Sequence, residues 1–247
     1  MSKKQVRLLI KQRLSKVTSD SIKEQTRIKL KIHYIGFLVT NLVTKNVQYQ
    51  NARRIGIYLS MPVGEVQTDS IVRDAFKCGK QVFIPYIYEA SKKETINLHH
   101  KSSMDMVKLN SLADYESLQR DRWGIPVIDS KTFDQRECII QNSREQNEGL
   151  DIIFVPGVAF QIDPRSNYVK RLGHGKGYYD SFLHQYHAKF HPKSQFSSNL
   201  KKPPLYGLSL KEQFVPIDHE IGIPMETHDH SLYGLMIGDG RFYEKSS

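Results

Sequence analysis

Apolar residues at the start of the chain recur with a helical period. Val6, Leu9, Ile10 and Leu14 share one face, and Ile28, Ile32, Ile35 and Val39 repeat the pattern. Such spacing gives an amphipathic helix one side to bury. Ser21, three residues before Glu24, supplies a capping-box start for the second run. The rhythm then shortens. Residues 55–59, 81–86, 104–109, 151–155, 205–210 and 232–237 are brief apolar runs, which predict strands. Helical spacing returns at Asp69, Ile71, Val72 and Phe76 and stops at Gly79. It returns again over 112–118, and at Tyr178, Phe182, Leu183 and Tyr186. Strand, helix and strand in succession imply a right-handed parallel unit. Alternation within 104–109 predicts a strand with one wet face. The pattern is that of an α/β protein, and 247 residues suit one large domain or two small ones. Residues 89–102 and 188–204 read as polar surface excursions, and 129–149 as a connecting loop with some helix.

Composition narrows the class. No apolar run approaches the roughly 20 residues of a membrane span, so no membrane partner is expected. The formal charge is +10, and residues 1–33 hold ten Lys or Arg against Asp20 and Glu24. Such an excess suits nucleic acid, or equally small polyanions such as ATP. No basic stripe interleaves with aromatics, so no nucleic acid is expected. Cys78 and Cys138 are too few for a disulfide framework, which fits a reducing compartment. The cytoplasm is expected. The mitochondrion is the alternative, because the first nineteen residues carry Lys3, Lys4, Arg7, Lys11, Arg13 and Lys16 and no acid.

The candidate chemistry gathers in Arg171-Leu172-Gly173-His174-Gly175-Lys176-Gly177-Tyr178-Tyr179-Asp180. Glycine lets backbone approach a ligand closely, and successive N–H groups in such a turn converge on an anion. A strand at 151–155 precedes the glycines and a helix follows them, so a helix N-terminus stands behind the loop. Lys176 and Arg171 can neutralise a phosphate, Arg171 through two parallel hydrogen bonds. The spacing matches neither a P-loop nor the dinucleotide fingerprint. The loop after residues 55–59 is a second usual place for a ligand. His228 and His230 alone do not make a zinc site.

These residues resemble a known signature. Pro156-Gly157-Val158-Ala159-Phe160, followed by Arg171 to Asp180 in full, resembles the motif of the 5-formyltetrahydrofolate cyclo-ligase family, also called 5,10-methenyltetrahydrofolate synthetases. Lys211-Glu212-Gln213 matches the family at the same place. The resemblance implies one domain over residues 1–247. Its architecture would be three-layer α/β/α, Rossmann-like, with a mostly parallel sheet and the N-terminal helices packed on it. It implies ATP- and Mg2+-dependent closure of 5-formyltetrahydrofolate, polyglutamylated or not, to 5,10-methenyltetrahydrofolate, with release of ADP and phosphate. A monomer is expected. Lys176 and Arg171 are the implied catalytic cations. ATP would be held by Lys3, Lys4, Arg7 and the run from Arg171 through Leu172, Gly173, His174, Gly175, Lys176, Gly177 and Tyr178 to Tyr179. The folate would meet Met61, Glu65 or Gln67, and the loop at His174, Gly175, Lys176, Gly177 and Tyr178. Asp180 and Asp229 are the implied magnesium carboxylates.

The chain also departs from the family. Gln161 replaces an aspartate, the spacer to Arg171 is longer than usual, and Asp163 is a candidate for the missing role. Trp123-Gly124-Ile125-Pro126 resembles a family turn near the pocket, where the lone Trp is expected in the core rather than as a ligand platform. Two other functions fit the same scaffold: a different ATP-dependent ligase, and an inactive nucleotide- or RNA-binding relative.

Overall fold

The computed structural model describes residues 1–15, 22–89, 102–141, 148–191, 202–217 and 222–245. Three helices open it: α1 (Lys3–Ser15), α2 (Ile22–Lys45) and α3 (Val47–Asn51). Then come β1 (Arg54–Ile57), α4 (Asp69–Lys77), β2 (Gln81–Glu89) and β3 (Ser102–Lys108). A middle stretch holds α5 (Leu112–Ser117), β4 (Gln119–Arg120), β5 (Pro126–Val127) and α6 (Ser130–Phe133). The last part holds β6 (Ile152–Val155), β7 (Ala159–Ile162), β8 (Val169–Leu172) and α7 (Tyr178–Phe190). It ends with β9 (Leu205–Ser209), a 3-10 turn (Lys211–Gln213), β10 (Gly234–Ile237) and β11 (Phe242–Glu244). The capping box at Ser21 and most of the two polar excursions, 90–101 and 192–201, lie outside the described residues. No helix among the described residues is long and apolar enough to cross a membrane.

Seven strands form one sheet in the order β11-β10-β9-β6-β1-β2-β3. The five central strands run parallel, and only the edges β3 and β11 are antiparallel. Side chains alternate across it with period two. Ile55, Ile57, Val82, Ile84, Ile152, Phe154, Tyr206 and Met236 face α2, α3 and α4. Phe83, Ile153, Val155, Leu205, Leu235 and Ile237 face α7, through Phe182, Leu183 and Tyr186. Both faces are therefore covered, as a parallel sheet requires.

Two expectations change. The strand near 104–109 has no wet face, because Asp105 is fully buried. Its carboxylate accepts backbone N–H bonds from Met106, Ile140 and Gln141 at 2.7–3.0 Å, so the polar side chain caps a neighbouring segment instead of meeting water. The long spacer at 161–170 is a hairpin whose two ends are strand and whose residues 163–168 make the turn. β7 and β8 pair as an antiparallel hairpin from Ala159↔Leu172 to Ile162↔Val169. Helix α1 packs Val6 and Ile10 on this hairpin at Val158, Ala159 and Leu172, while α2 lies over the sheet itself.

Candidate active site

The strand order reverses between β1 and β6. Loops leaving their C-terminal ends diverge there, and the crevice between them is where ligands bind in such sheets. The loop after β1 is tied by its own side chains. Glu65 Oε2 accepts the Met61 N–H at 3.0 Å, and the Gln67 amide donates to Met61 O at 2.8 Å. Gln213 then joins this loop to the one after β6, donating to Gly157 O at 2.7 Å and to Gly64 O at 3.2 Å. This gives a structural role to Gln213 of the Lys-Glu-Gln motif.

The glycine loop leaves β8 and enters α7 at Tyr178. Gly175 at φ +96° and Gly177 at φ +67° occupy the left-handed region that a side chain disfavours. Arg7 of α1 braces the loop: its Nε donates to Gly173 O at 2.8 Å. A Cβ on Gly175 would stand 3.2 Å from the Arg7 guanidinium carbon.

The loop is a wall between two cavities. The smaller, about 330 Å³, is lined by Lys3, Arg7, residues 171–180, Glu226, His228 and Asp229. The larger, about 770 Å³, is apolar on most sides, with Tyr58, Leu59, Met61, Tyr86, Met104, Trp123 and Ile125 among its walls. Glu65 and Lys11 bring opposite charges to it. His174, Lys176, Tyr178 and Tyr179 line both. Helix α1 also serves both, since Lys3, Arg7 and Lys11 recur every four residues along one stripe.

The charges differ in how far they are engaged. Lys176 is exposed and makes no hydrogen bond or ion pair among the described residues; its Nζ lies 6.0 Å from the Tyr178 ring centre. His174 is half-exposed, with Nε2 3.6 Å from Glu65 Oε1. Arg171 is different. Its side chain is 4% exposed, and it donates to Pro156 O at 3.3 Å and to Asp180 Oδ2 at 2.8 Å. The fork expected to grip phosphate is thus engaged in holding Asp180, while its buried Nε has no partner among the described residues. Asp180 Oδ1 accepts the His230 backbone N–H at 3.2 Å. Burial pushes the Asp180 carboxyl up, but hydrogen bonds from His230 and the charge of Arg171 outweigh it and hold the pKa well below the usual range. Lys3 Nζ lies 2.6 Å from Asp229 Oδ2 and 3.2 Å from Glu226 Oε1.

The expected residues mostly converge. Lys3, Arg7, the run 171–179, Asp180 and Asp229 share the smaller cavity; Met61 and Glu65 line the larger. Lys4 lines neither and is exposed. Gln67 ties the loop from within. Asp163 lines neither cavity: it accepts from Ser166 and pairs with Lys170 in the hairpin turn. Gln161 is buried and accepts the Ile223 N–H at 2.8 Å. Trp123 is 60% exposed on the larger cavity, not in the core. The turn carrying it leans on the other loop, where a Cβ on Gly124 would meet Pro62 at 2.7 Å. Glu226 and Tyr86 also line the cavities, and no local pattern signals them; Lys11 does so too, and its place four residues after Arg7 on one helix stripe is the signal that could find it. Among the described residues no three His, Cys, Asp or Glu side chains are grouped to hold a metal by themselves.

A family model described as the 5-formyltetrahydrofolate cyclo-ligase family matches residues 1–237. The chain is 32% identical over 239 residues to a mouse 5-formyltetrahydrofolate cyclo-ligase, covering 96% of this chain and 94% of the relative. It is 32% identical over 213 residues to a probable 5-formyltetrahydrofolate cyclo-ligase of Caenorhabditis elegans, covering 86% and 84%. Its fold is similar to the solved structure of Aquifex aeolicus 5,10-methenyltetrahydrofolate synthetase, with a TM-score of 0.58 and 20% identity over 99% of this chain and 93% of that one.

Proposed function

Because the chain belongs to the 5-formyltetrahydrofolate cyclo-ligase family, we propose that it closes 5-formyltetrahydrofolate to 5,10-methenyltetrahydrofolate, using ATP and magnesium and releasing ADP and phosphate. The observation that carries this is the shared wall. A glycine-rich loop with an unengaged lysine separates a cation-lined cavity from an apolar one. A triphosphate suits the first, and the fused ring of a folate suits the second.

The chemistry needs both at one point. A formamide oxygen is a poor leaving group. Its attack on the γ-phosphorus of ATP forms a C–O–P link and expels ADP. N10 then attacks the activated carbon and gives up its proton to the departing phosphate or to water, the C–O bond breaks, and phosphate leaves with the original formyl oxygen. Phosphoryl transfer asks for positioning and charge neutralisation. Lys176, which lines both cavities, supplies charge where the two substrates meet. The Glu65 carboxylate can accept from an amino-pyrimidine edge, and Lys11 can meet the carboxylates of a glutamate tail. Arg171 keeps Asp180 ionised and fixed on the nucleotide side. The donor set there fits a hard cation: Asp229 and Asp180 offer oxygens, and the ammonium of Lys3 already stands as a positive charge against Asp229. Magnesium, when bound, neutralises phosphate oxygens.

The purified protein should form a product with strong near-ultraviolet absorbance from 5-formyltetrahydrofolate only when ATP and magnesium are both present. Lys176→Ala should lower kcat at least about a hundredfold with an unchanged melting temperature. Wild-type turnover in that variant would refute the role given to Lys176.

A further inference from the structure

Lys3 is not free to meet an anion. Its ammonium is clamped between Asp229 at 2.6 Å and Glu226 at 3.2 Å, and the Asp229 side chain is only 11% exposed. The clamp is itself held, because Asp229 Oδ2 accepts the Glu226 backbone N–H at 2.7 Å. A phosphate entering this cavity would therefore meet two negative groups before it met Lys3. A divalent cation is attracted to the same oxygens and carries twice the charge. Lysine has a flexible stem with a point charge at its end, so it can change partners within one cavity.

We propose that Lys3 is a positioning residue with alternating partners: Glu226 and Asp229 in the metal-free protein, and nucleotide phosphate once a divalent cation takes Asp229. This rests on the smaller cavity being a metal–nucleotide site. Metal and nucleotide then strengthen each other's binding through the release of Lys3, and the coupling is reciprocal. Nucleotide arriving without metal finds the clamp closed.

The test uses the full chain and two probes. Mn2+ alone is followed by electron paramagnetic resonance. A non-hydrolysable ATP analogue is followed by calorimetry, with chelator or with magnesium. Lys3→Met should bind Mn2+ alone about tenfold more tightly than wild type, a coupling of ordinary size. Lys4→Met removes the same charge one residue away, outside the cavity, and should not. Glu226→Gln leaves α1 untouched and loosens the clamp, so it should tighten metal-free binding of the analogue about fivefold while leaving binding with magnesium at the wild-type value. Equal effects of Lys3→Met and Lys4→Met on Mn2+ would overturn the proposal, as would unchanged metal-free binding in Glu226→Gln. If wild type binds neither probe, the metal–nucleotide reading itself fails. If it binds both and the variants do not diverge, only the exchange of Lys3 fails.

Discussion

Asp180→Asn removes one charge from a pair whose other member has nowhere to go. Arg171 is 4% exposed and Asp180 17%, at 2.8 Å. After the substitution the guanidinium keeps Pro156 O and one neutral amide oxygen but loses its carboxylate, and its Nε is already without a partner among the described residues. Leaving a buried charge uncompensated costs about 3–5 kcal/mol. Asparagine retains one acceptor oxygen, which places the expected loss near the lower figure, about 3 kcal/mol. For a chain of this size that is a fall in Tm of about 6–12 °C. Urea unfolding at neutral pH, followed by far-ultraviolet circular dichroism, measures it. The double variant with Arg171→Met should recover much of the loss, since the stranded charge is gone. The pH dependence has a definite sign. A carboxyl whose folded pKa is depressed contributes stability above its unfolded pKa of about 3.9 and loses it as pH falls through the folded value. The gap between wild type and Asp180→Asn should therefore narrow below about pH 4. A loss under about 1 kcal/mol, the size seen for exposed pairs, would refute the account of Arg171 as a buried anchor.

Three further outcomes follow from the geometry. Trp123→Ala should change stability by no more than about 0.5 kcal/mol, because the ring is exposed. It should weaken folate binding about three- to tenfold, and the fluorescence of this single tryptophan should respond to folate without nucleotide; a silent titration would remove it from the cavity. Asp105→Ala should cost about 3 kcal/mol or more by stranding three backbone donors, and Asp105→Asn should cost less by the same urea assay. Burial raises the Asp105 pKa against its hydrogen bonds. Its contribution is thus present below the unfolded pKa and fades as pH rises through the folded one, opposite in slope to that of Asp180. Gly175→Ala should weaken binding of the ATP analogue about tenfold, because φ is +96° and the new Cβ meets Arg7; calorimetry at saturating magnesium would show it, and unchanged affinity would mean the loop is not a phosphate cradle.

The parallel strands could be read from the chain because each apolar run is short and bounded by turn residues. The glycine loop could be read because its residue types admit few other uses. Four features could not. The hairpin at 159–172 reads as a spacer because Asp163-Pro164-Arg165-Ser166-Asn167 carries no hairpin dipeptide; the six-residue turn 163–168 instead closes with Asn167 at φ 57°. The buried Asp105 looks like a solvated residue until the backbone of 140–141 is seen to converge on it. Trp123 was expected inside, since large apolar residues usually are; a ligand cavity keeps apolar surface uncovered, so its walls resemble core in composition. The partners of Lys3 lie at the far end of the chain, where no local spacing could reveal them.

Between β7 and β8 the chain runs out to a tip at Pro164, Arg165, Ser166 and Asn167, all exposed and none lining either cavity. The ladder from Ile162↔Val169 to Ala159↔Leu172 stands between that tip and Arg171. Residues added there would lengthen the ribbon outward while its base kept the same register. The extra length of this spacer therefore leaves both cavities untouched, and the tip is a natural point for a covalent label that reports on the folded protein without crowding either of them.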